Sequence, residues 1–281
     1  MVCALAYVSV IGGDFKGKKR LARVLLSPFF LKAKDIDIEG YFDCKYILPN
    51  IQESVAFELF INGIYELETH NFLLSVMPRD AIYMDIGANI GSVLIPLCKR
   101  RPDIRCFAVE ASDWVYKYLV TNIKQNKLEQ SVTCINEAMA DTAEGYVSFY
   151  TNERVFGKGS LSPVFSNEPV QVKRTCFEQL MQQYNLSRVD VIKIDIEGFE
   201  YFAFKGGDRL LNSADAPLIL FEFVSWAEKH AGIEPGEAQR LLKSWGYSLY
   251  QLNLDGTLKL QETILEEGGA TLVASKKTLL T

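Results

Sequence analysis

From Ala81 onward, short apolar runs alternate with longer amphipathic ones, and that alternation confines the chain to a mainly parallel sheet with helices on both faces. The pattern predicts strands over 81–86, 105–110, 131–137, 189–195 and 217–224, and helices over 91–101, 113–126, 176–185, 199–211 and 235–245. A strand pair is expected near 145–150 and 170–174, and two closing strands over 247–253 and 270–275. Upstream, 42–48 reads as a strand and 52–62 as a helix, whereas residues 1–40 read as irregular and partly amphipathic, with Arg20 to Leu31 able to pack on the main domain or lie on a membrane surface. The expected organisation is an N-terminal extension or cap over 1–62 and a main domain over 63–281.

The first strand of the alternating region ends in Asp85-Ile86-Gly87-Ala88-Asn89-Ile90-Gly91, an acid followed by a two-glycine turn into a helix. Such a turn lets a backbone approach a nucleotide-like ligand. The next strand ends in Glu110, roughly the 20-residue offset at which an acid meets the ribose hydroxyls of an adenosine ligand. Together the two features point to an adenosyl-ligand site.

Composition narrows the partners. A net charge of −5 argues against a nucleic acid, because phosphate binding needs a basic footprint. The six cysteines are scattered without a C-x-x-C pair or zinc spacing and read as reduced core thiols. The apolar run Val2 to Ile11 has its basic cluster after it, the wrong order for a secretory signal, and no stretch reaches the roughly 18 apolar residues of a spanning helix. A cytoplasmic protein is expected.

In order, Asp85 to Gly91, Glu110 with Asn122, Gly159-Ser160-Leu161, and Lys193-Ile194-Asp195-Ile196-Glu197-Gly198-Phe199-Glu200 resemble the FkbM-type S-adenosylmethionine-dependent methyltransferases, from about Gly63 to Glu222. The resemblance implies a seven-stranded class I methyltransferase sheet whose last strand is antiparallel. It also implies S-adenosylmethionine as cofactor and O-methylation of a sugar or polyketide-like hydroxyl. Ala111 stands where family members often carry proline. On this reading Asp85, Gly87, Asn89 and Gly91 hold the methionine part of the cofactor, Glu110 the ribose, and Glu137 with Ala138 the adenine edge.

Lys193, Asp195 and Glu197 lie at a period of two in an otherwise apolar run, where a buried parallel strand normally carries only Val, Ile and Leu. A self-neutralised ion cluster is one explanation. The other is catalysis: methyl transfer to a hydroxyl requires an acceptor aligned in line and a base to take its proton. Asp195 and Glu197 are the candidate bases, with Lys193 as their charge partner. Glu222, ending the next strand, and His230, expected in a loop after it, are candidates for the acceptor side, as is Ser160 in the long 151–169 loop, which is a candidate lid. A divalent metal held by Asp195, Glu197 or Glu222 is chemically reasonable, and direct base catalysis is favoured over it. His70 reads as a helix-surface residue. The alternatives are a nicotinamide-dependent oxidoreductase, against which Asn89 occupies the place of a fingerprint glycine, and a non-catalytic adenosyl-binding module, which would leave the strand-end acids idle.

Overall fold

The computed structural model describes residues 34–279. In chain order the strands are β1 (Lys34–Glu39), β2 (Lys45–Asn50), β3 (Ile82–Ile86), β4 (Arg105–Val109), β5 (Val132–Ile135), β6 (Ala138–Met139), β7 (Tyr146–Tyr150), β8 (Pro169–Thr175), β9 (Val191–Ile194), β10 (Leu218–Val224), β11 (Ser248–Leu252), β12 (Leu258–Leu260) and β13 (Gly269–Ser275). The helices are α1 (Ser54–Asn62), α2 (Leu67–Val76), α3 (Leu94–Arg100), α4 (Asp113–Gln125), α5 (Phe177–Gln183), α6 (Glu200–Lys205), α7 (Asp208–Leu211), α8 (Ser225–His230) and α9 (Glu237–Ser244).

The central sheet has the order β12-β11-β13-β10-β9-β3-β4-β5. Strands β5, β4, β3, β9 and β10 are mutually parallel, and β13 runs antiparallel to both β10 and β11. This is the class I methyltransferase arrangement, with one strand more than the expected seven. The extra strand, β12, pairs antiparallel with β11 at the edge across the Asp255-Gly256 turn. Its sequence, Leu-Lys-Leu, is too short to announce a strand.

Each sheet face is covered by its own layer. Tyr83, Cys106, Ala108, Val191, Leu220 and Val273 pack with buried residues of α1, α3 and α4, whereas Met84, Phe107, Ile192, Ile194, Ile219 and Phe221 pack with α5, α6, α7 and α9. Burial on both faces explains the near-continuous apolar strands. The expected 199–211 helix is divided at Gly206-Gly207 into α6 and α7. Gly206 sits against the Ala140 carbonyl, where a side chain would displace backbone.

The expected irregular segment before Tyr41 contains β1, which forms an antiparallel hairpin with β2. The other expectations for the first 33 residues lie outside the described residues. Asn122 of α4 and Asn126, which caps its C-terminus, fix the hairpin to the domain. Asn122 Oδ1 accepts the Ile47 N–H at 2.7 Å while its Nδ2 donates to the Ile90 carbonyl at 3.0 Å, and Asn126 Oδ1 accepts the Lys45 N–H at 2.9 Å. Asn122 thus ties the cap to the helix entry after the glycine turn.

The strand pair β7 and β8 belongs to a separate three-stranded sheet with β6. His70 is buried in α2 rather than on its surface, and His230 ends α8 rather than lying in a loop. Among the described residues the five cysteines are free thiols, and no helix is long and apolar enough to cross a membrane.

Candidate active site

Strands β3 and β9 are adjacent, yet their chain connections leave in opposite directions, β3 toward β4 and β9 toward β10. Such a switch point opens a crevice at the carboxyl ends of the strands. A cavity of about 320 Å³ lies there, within the size range of small-ligand sites. It is lined by Asp85, Gly87, Asn89, Glu110, Glu137, Ala138, Lys193, Asp195, Glu197 and Glu222. The sequence candidates at the ends of five strands, β3, β4, β5, β9 and β10, are therefore brought to one place.

Gly91, Ser160 and His230 are not in the lining. Gly91 packs against Ile95 and Leu119 at the entry to α3. Ser160 is buried and bridges to Tyr150, and its Oγ accepts the Ser162 N–H at 3.2 Å, so its neighbours Gly159 and Leu161 face the cavity instead. The His230 ring nitrogen Nδ1 lies 2.7 Å from the Trp226 carbonyl, and its own carbonyl accepts the Ser162 hydroxyl proton, which joins α8 to the 151–169 loop.

The glycine turn is held from two sides. The N–H groups of Gly87 and Ala88 donate to the Val109 carbonyl at 2.9 and 3.0 Å. Gly87 has φ +79°, and a Cβ there would lie 2.0 Å from the Asp195 carbonyl oxygen. Glycine is required because β9 passes directly behind the turn, a reason the sequence did not disclose. Glu110 is nearly fully buried and receives the Asn89 N–H on Oε2 at 3.0 Å and the Ser112 N–H on Oε1 at 2.8 Å. Burial raises its carboxyl to about 7, with the two backbone N–H groups pulling the other way.

At the other end of the turn Asp85 is 1% exposed, and neither of its oxygens receives a hydrogen bond. Its nearest cation is Lys193, whose Nζ stands 3.8 Å from Asp85 Oδ1 and 3.5 Å from Asp195 Oδ2. Register makes this pairing unavoidable, since Asp85 sits opposite Lys193 across β3 and β9. Burial raises the Asp85 carboxyl to about 6 against the opposing pull of Lys193. Burial alone would lower the Lys193 ammonium, but Asp195, Asp85, Glu66 and Glu222 together hold it above its usual value.

Glu197 stands one turn beyond β9 with φ +53°, a left-handed conformation uncommon for a non-glycine residue and typical of functional sites. Burial and the neighbouring Asp195 raise its carboxyl to about 7, with Lys158 opposing. Glu222 is pushed well above the carboxylate range by burial and by Asp195, Glu197, Glu200 and Glu66. Glu137 is paired to Lys173 at 2.5 Å, and its second oxygen is buried without a partner. Among the described residues no group of three His, Cys, Asp or Glu is arranged to hold a metal ion.

Sequence reasoning missed several lining residues: Glu53, Tyr65, Glu66, Lys158, Phe199 and Trp226. Glu53 caps α1, accepting the Val55 N–H at 2.7 Å, and a side chain at Gly157 would meet its carboxyl at 2.6 Å, so the 151–169 loop closes onto the cap. Glu66 carried a usable signal, an acid opening an apolar helix after Gly63. Its φ of +46° and its position across from Lys193 follow only from the tertiary fold.

Comparison with known proteins agrees with the geometry. A family described as the methyltransferase FkbM domain matches residues 85–249, more than half of the chain. A hexuronic acid methyltransferase of Haloferax volcanii is 22% identical over 177 residues, 63% of this chain and 67% of that protein. A tRNA (guanine(37)-N(1))/4-demethylwyosine(37)-methyltransferase of Nanoarchaeum equitans is 24% identical over 178 residues, 58% of this chain and 57% of that protein. The chain thus spans little more than half the length of the second relative. Among solved structures, a precorrin-6y C5,15-methyltransferase from Geobacter metallireducens GS-15 superposes with a TM-score of 0.44 at 17% identity, covering 75% of this chain and 87% of that one.

Proposed function

The chain belongs to the FkbM methyltransferase family, and we propose that it is an S-adenosylmethionine-dependent O-methyltransferase acting on a hydroxyl of a sugar or polyketide-like acceptor. The observation that carries the reading is the meeting, in one cavity, of the glycine turn, Glu110 and the strand-end acids Asp195 and Glu197. Asp85, Gly87, Asn89, Glu110, Glu137 and Ala138 are the proposed cofactor residues. The fit is chemical. Hydrogen-bond-free buried oxygens on Asp85 suit an ammonium group, Glu110 suits ribose hydroxyls, and the free oxygen of Glu137 suits an exocyclic amine.

When bound, S-adenosylmethionine supplies a methyl group on a positively charged sulfur that departs as a neutral thioether. The protein's remaining task is to orient the hydroxyl and remove its proton. Glu197 is the proposed proton acceptor: it lines the cavity, and burial with the neighbouring Asp195 raises its carboxyl to about 7, matched to neutral solution. Asp195, ion-paired to Lys193, keeps that ammonium at the cavity wall and orients the hydroxyl. Glu222 belongs to the acceptor side. Glu53, Ser54 and Val55 of the cap line one side of the cavity, and in this reading the main domain carries the catalysis. The acidic lining favours a small-molecule or glycan acceptor over a polyanion such as nucleic acid, and a cytoplasmic location accords with the free thiols.

The test is a pair of near-isosteric variants. Asp195→Asn and Glu197→Gln should bind S-adenosylhomocysteine almost as the parent does, yet lose methyl transfer by about 10²-fold or more, measured as S-adenosylhomocysteine release over a panel of hydroxyl-bearing sugars. Transfer at the parental rate in both variants would remove the acids from the chemistry. Transfer restored by added Mg²⁺ or Mn²⁺ would make them metal ligands instead.

A further inference from the structure

The sheet of β6, β8 and β7 stands apart from the central layer, and the Gly159-Ser160-Leu161 run carries none of the proposed cofactor residues. The two meet. Ser160 forms an antiparallel bridge with Tyr150 at the end of β7, in which the Tyr150 N–H donates to the Ser160 carbonyl at 2.8 Å and the Ser160 N–H donates to the Tyr150 carbonyl at 3.0 Å. Alternation along this short strip turns Ser160 away from the cavity and leaves Gly159 and Leu161 in its lining. The loop around the strip is tethered on both sides. Asn50 Nδ2 donates to the Glu153 carbonyl at 2.8 Å, and the Ser162 hydroxyl donates to the His230 carbonyl at 2.7 Å.

The strip rests on Phe149. A Cβ at Gly159 would lie 2.3 Å from the Phe149 ring, and φ there is not left-handed, so closeness to the ring rather than backbone conformation demands glycine. Phe149 packs with Ala138 and Val172, and Ala111 and Leu161 lie against the same group. Ala111, Ala138, Met139, Phe149 and Leu161 all line the cavity and give this end of it an apolar wall. Glu137, beside Ala138, lines it too and keeps one buried oxygen without a partner. An apolar wall with a single hydrogen-bond acceptor at its rim suits a flat ring bearing an amine on its edge.

We infer that Phe149 and Leu161 clamp the adenine of the cofactor against Ala111 and Ala138, and that the Gly159-Ser160-Leu161 strip is a cofactor lid rather than part of the acceptor site. The inference rests on the S-adenosylmethionine reading above and gives the separate sheet its work: β7 carries the ring and holds the strip beside it. Contact with the faces of the base supplies affinity, and Glu137 reads its edge. The lid therefore closes on the cofactor, whichever acceptor is bound.

The experiment titrates two ligands into the full chain by calorimetry: S-adenosylhomocysteine, and methylthioadenosine, which keeps the adenosine but lacks the amino-acid part. Phe149→Leu and Leu161→Ala should each weaken both ligands by about tenfold, and by factors that agree within about twofold, because the lost contact is to the group the ligands share. Gly159→Ala should weaken both as well, since its Cβ lifts the strip from the ring. Leu161→Met, which conserves apolar volume, should stay within about threefold of the parent. Asp85→Asn is the opposite case and should weaken S-adenosylhomocysteine by about tenfold while leaving methylthioadenosine within about twofold, because only the former carries an ammonium group. Leu161 is half-buried on the lid, so Leu161→Ala decides the matter even where Phe149→Leu melts poorly. The inference falls if Leu161→Ala binds both ligands as the parent does, or if it weakens S-adenosylhomocysteine alone, which would move the strip to the amino-acid end of the site. Failure of both ligands to bind the parent would instead remove the methyltransferase reading, and this inference with it.

Discussion

Replacing Gly87 with alanine isolates the contact that shapes the site. Two costs act at this position. A non-glycine residue in the left-handed region costs about 1–2 kcal/mol, and φ here is +79°. The added Cβ would lie 2.0 Å from the Asp195 oxygen and 3.0 Å from its carbonyl carbon, so β9 must move by an ångström or more. The Asp195 N–H donates to the Ile86 carbonyl at 3.0 Å, immediately before the glycine, and resists that shift. Backbone displacement of this kind costs about 1–3 kcal/mol, for a total of about 2–5 kcal/mol. Gly246→Ala is the control, because φ is +85° but nothing lies within 4 Å of its Cβ, so only the conformational cost remains. Urea unfolding without ligand should show Gly87→Ala losing about 1–3 kcal/mol more than Gly246→Ala. Equal losses in the two variants would refute the packing of the turn against β9.

Glu110→Ala should weaken S-adenosylhomocysteine binding about 10- to 100-fold and also lower stability, because the Asn89 and Ser112 N–H groups lose their acceptor; unchanged affinity in a folded variant would take Glu110 out of the site. Asn122→Ala should cost about 2–4 kcal/mol in urea, since the Ile47 N–H and Ile90 carbonyl are both left unpaired, and a loss below about 0.5 kcal/mol would show that the hairpin is held by other means. The pH dependence follows from folded-state carboxyls raised above their unfolded values: Asp85 to about 6, Glu110, Glu197 and Glu228 to about 7, and Glu200 to about 8. Each contributes stability that is fully present below its unfolded value and lost as pH rises through the folded one, so the urea midpoint of the ligand-free protein should fall between about pH 5 and pH 8. A midpoint that is flat or rises over that interval would contradict the burial of these acids.

The alternation from Ala81 was enough to give the sheet, because strands buried on both faces must be apolar throughout and the helices between them must be long enough to cross. The site was legible where acids interrupt such strands. Asp85, Lys193 and Glu222 have no packing reason to be there, and register brings the first two side by side. Three things were hidden. The reason for Gly87 was one, since a sequence shows that a turn needs glycine but not which backbone passes behind it. The place of Glu53 and Glu66 was another: both read as helix-start acids, and that they line the same cavity as Lys193 depends on how their helices pack onto the sheet. His70 was the third. Its burial in α2 with both ring nitrogens unpartnered follows from the stacking of Phe42 at 5.5 Å, a contact with a residue of left-handed φ that no periodicity encodes.

Titration of S-adenosylhomocysteine into the parent protein by calorimetry, with NAD and NADP run in parallel, tests the central claim most directly. The account predicts saturable binding of S-adenosylhomocysteine, with one site per chain and a dissociation constant in the micromolar range, about −8 kcal/mol, and no binding of either nicotinamide cofactor. Binding of NAD or NADP in place of S-adenosylhomocysteine would contradict it, and would assign the glycine turn and Glu110 to a dinucleotide site.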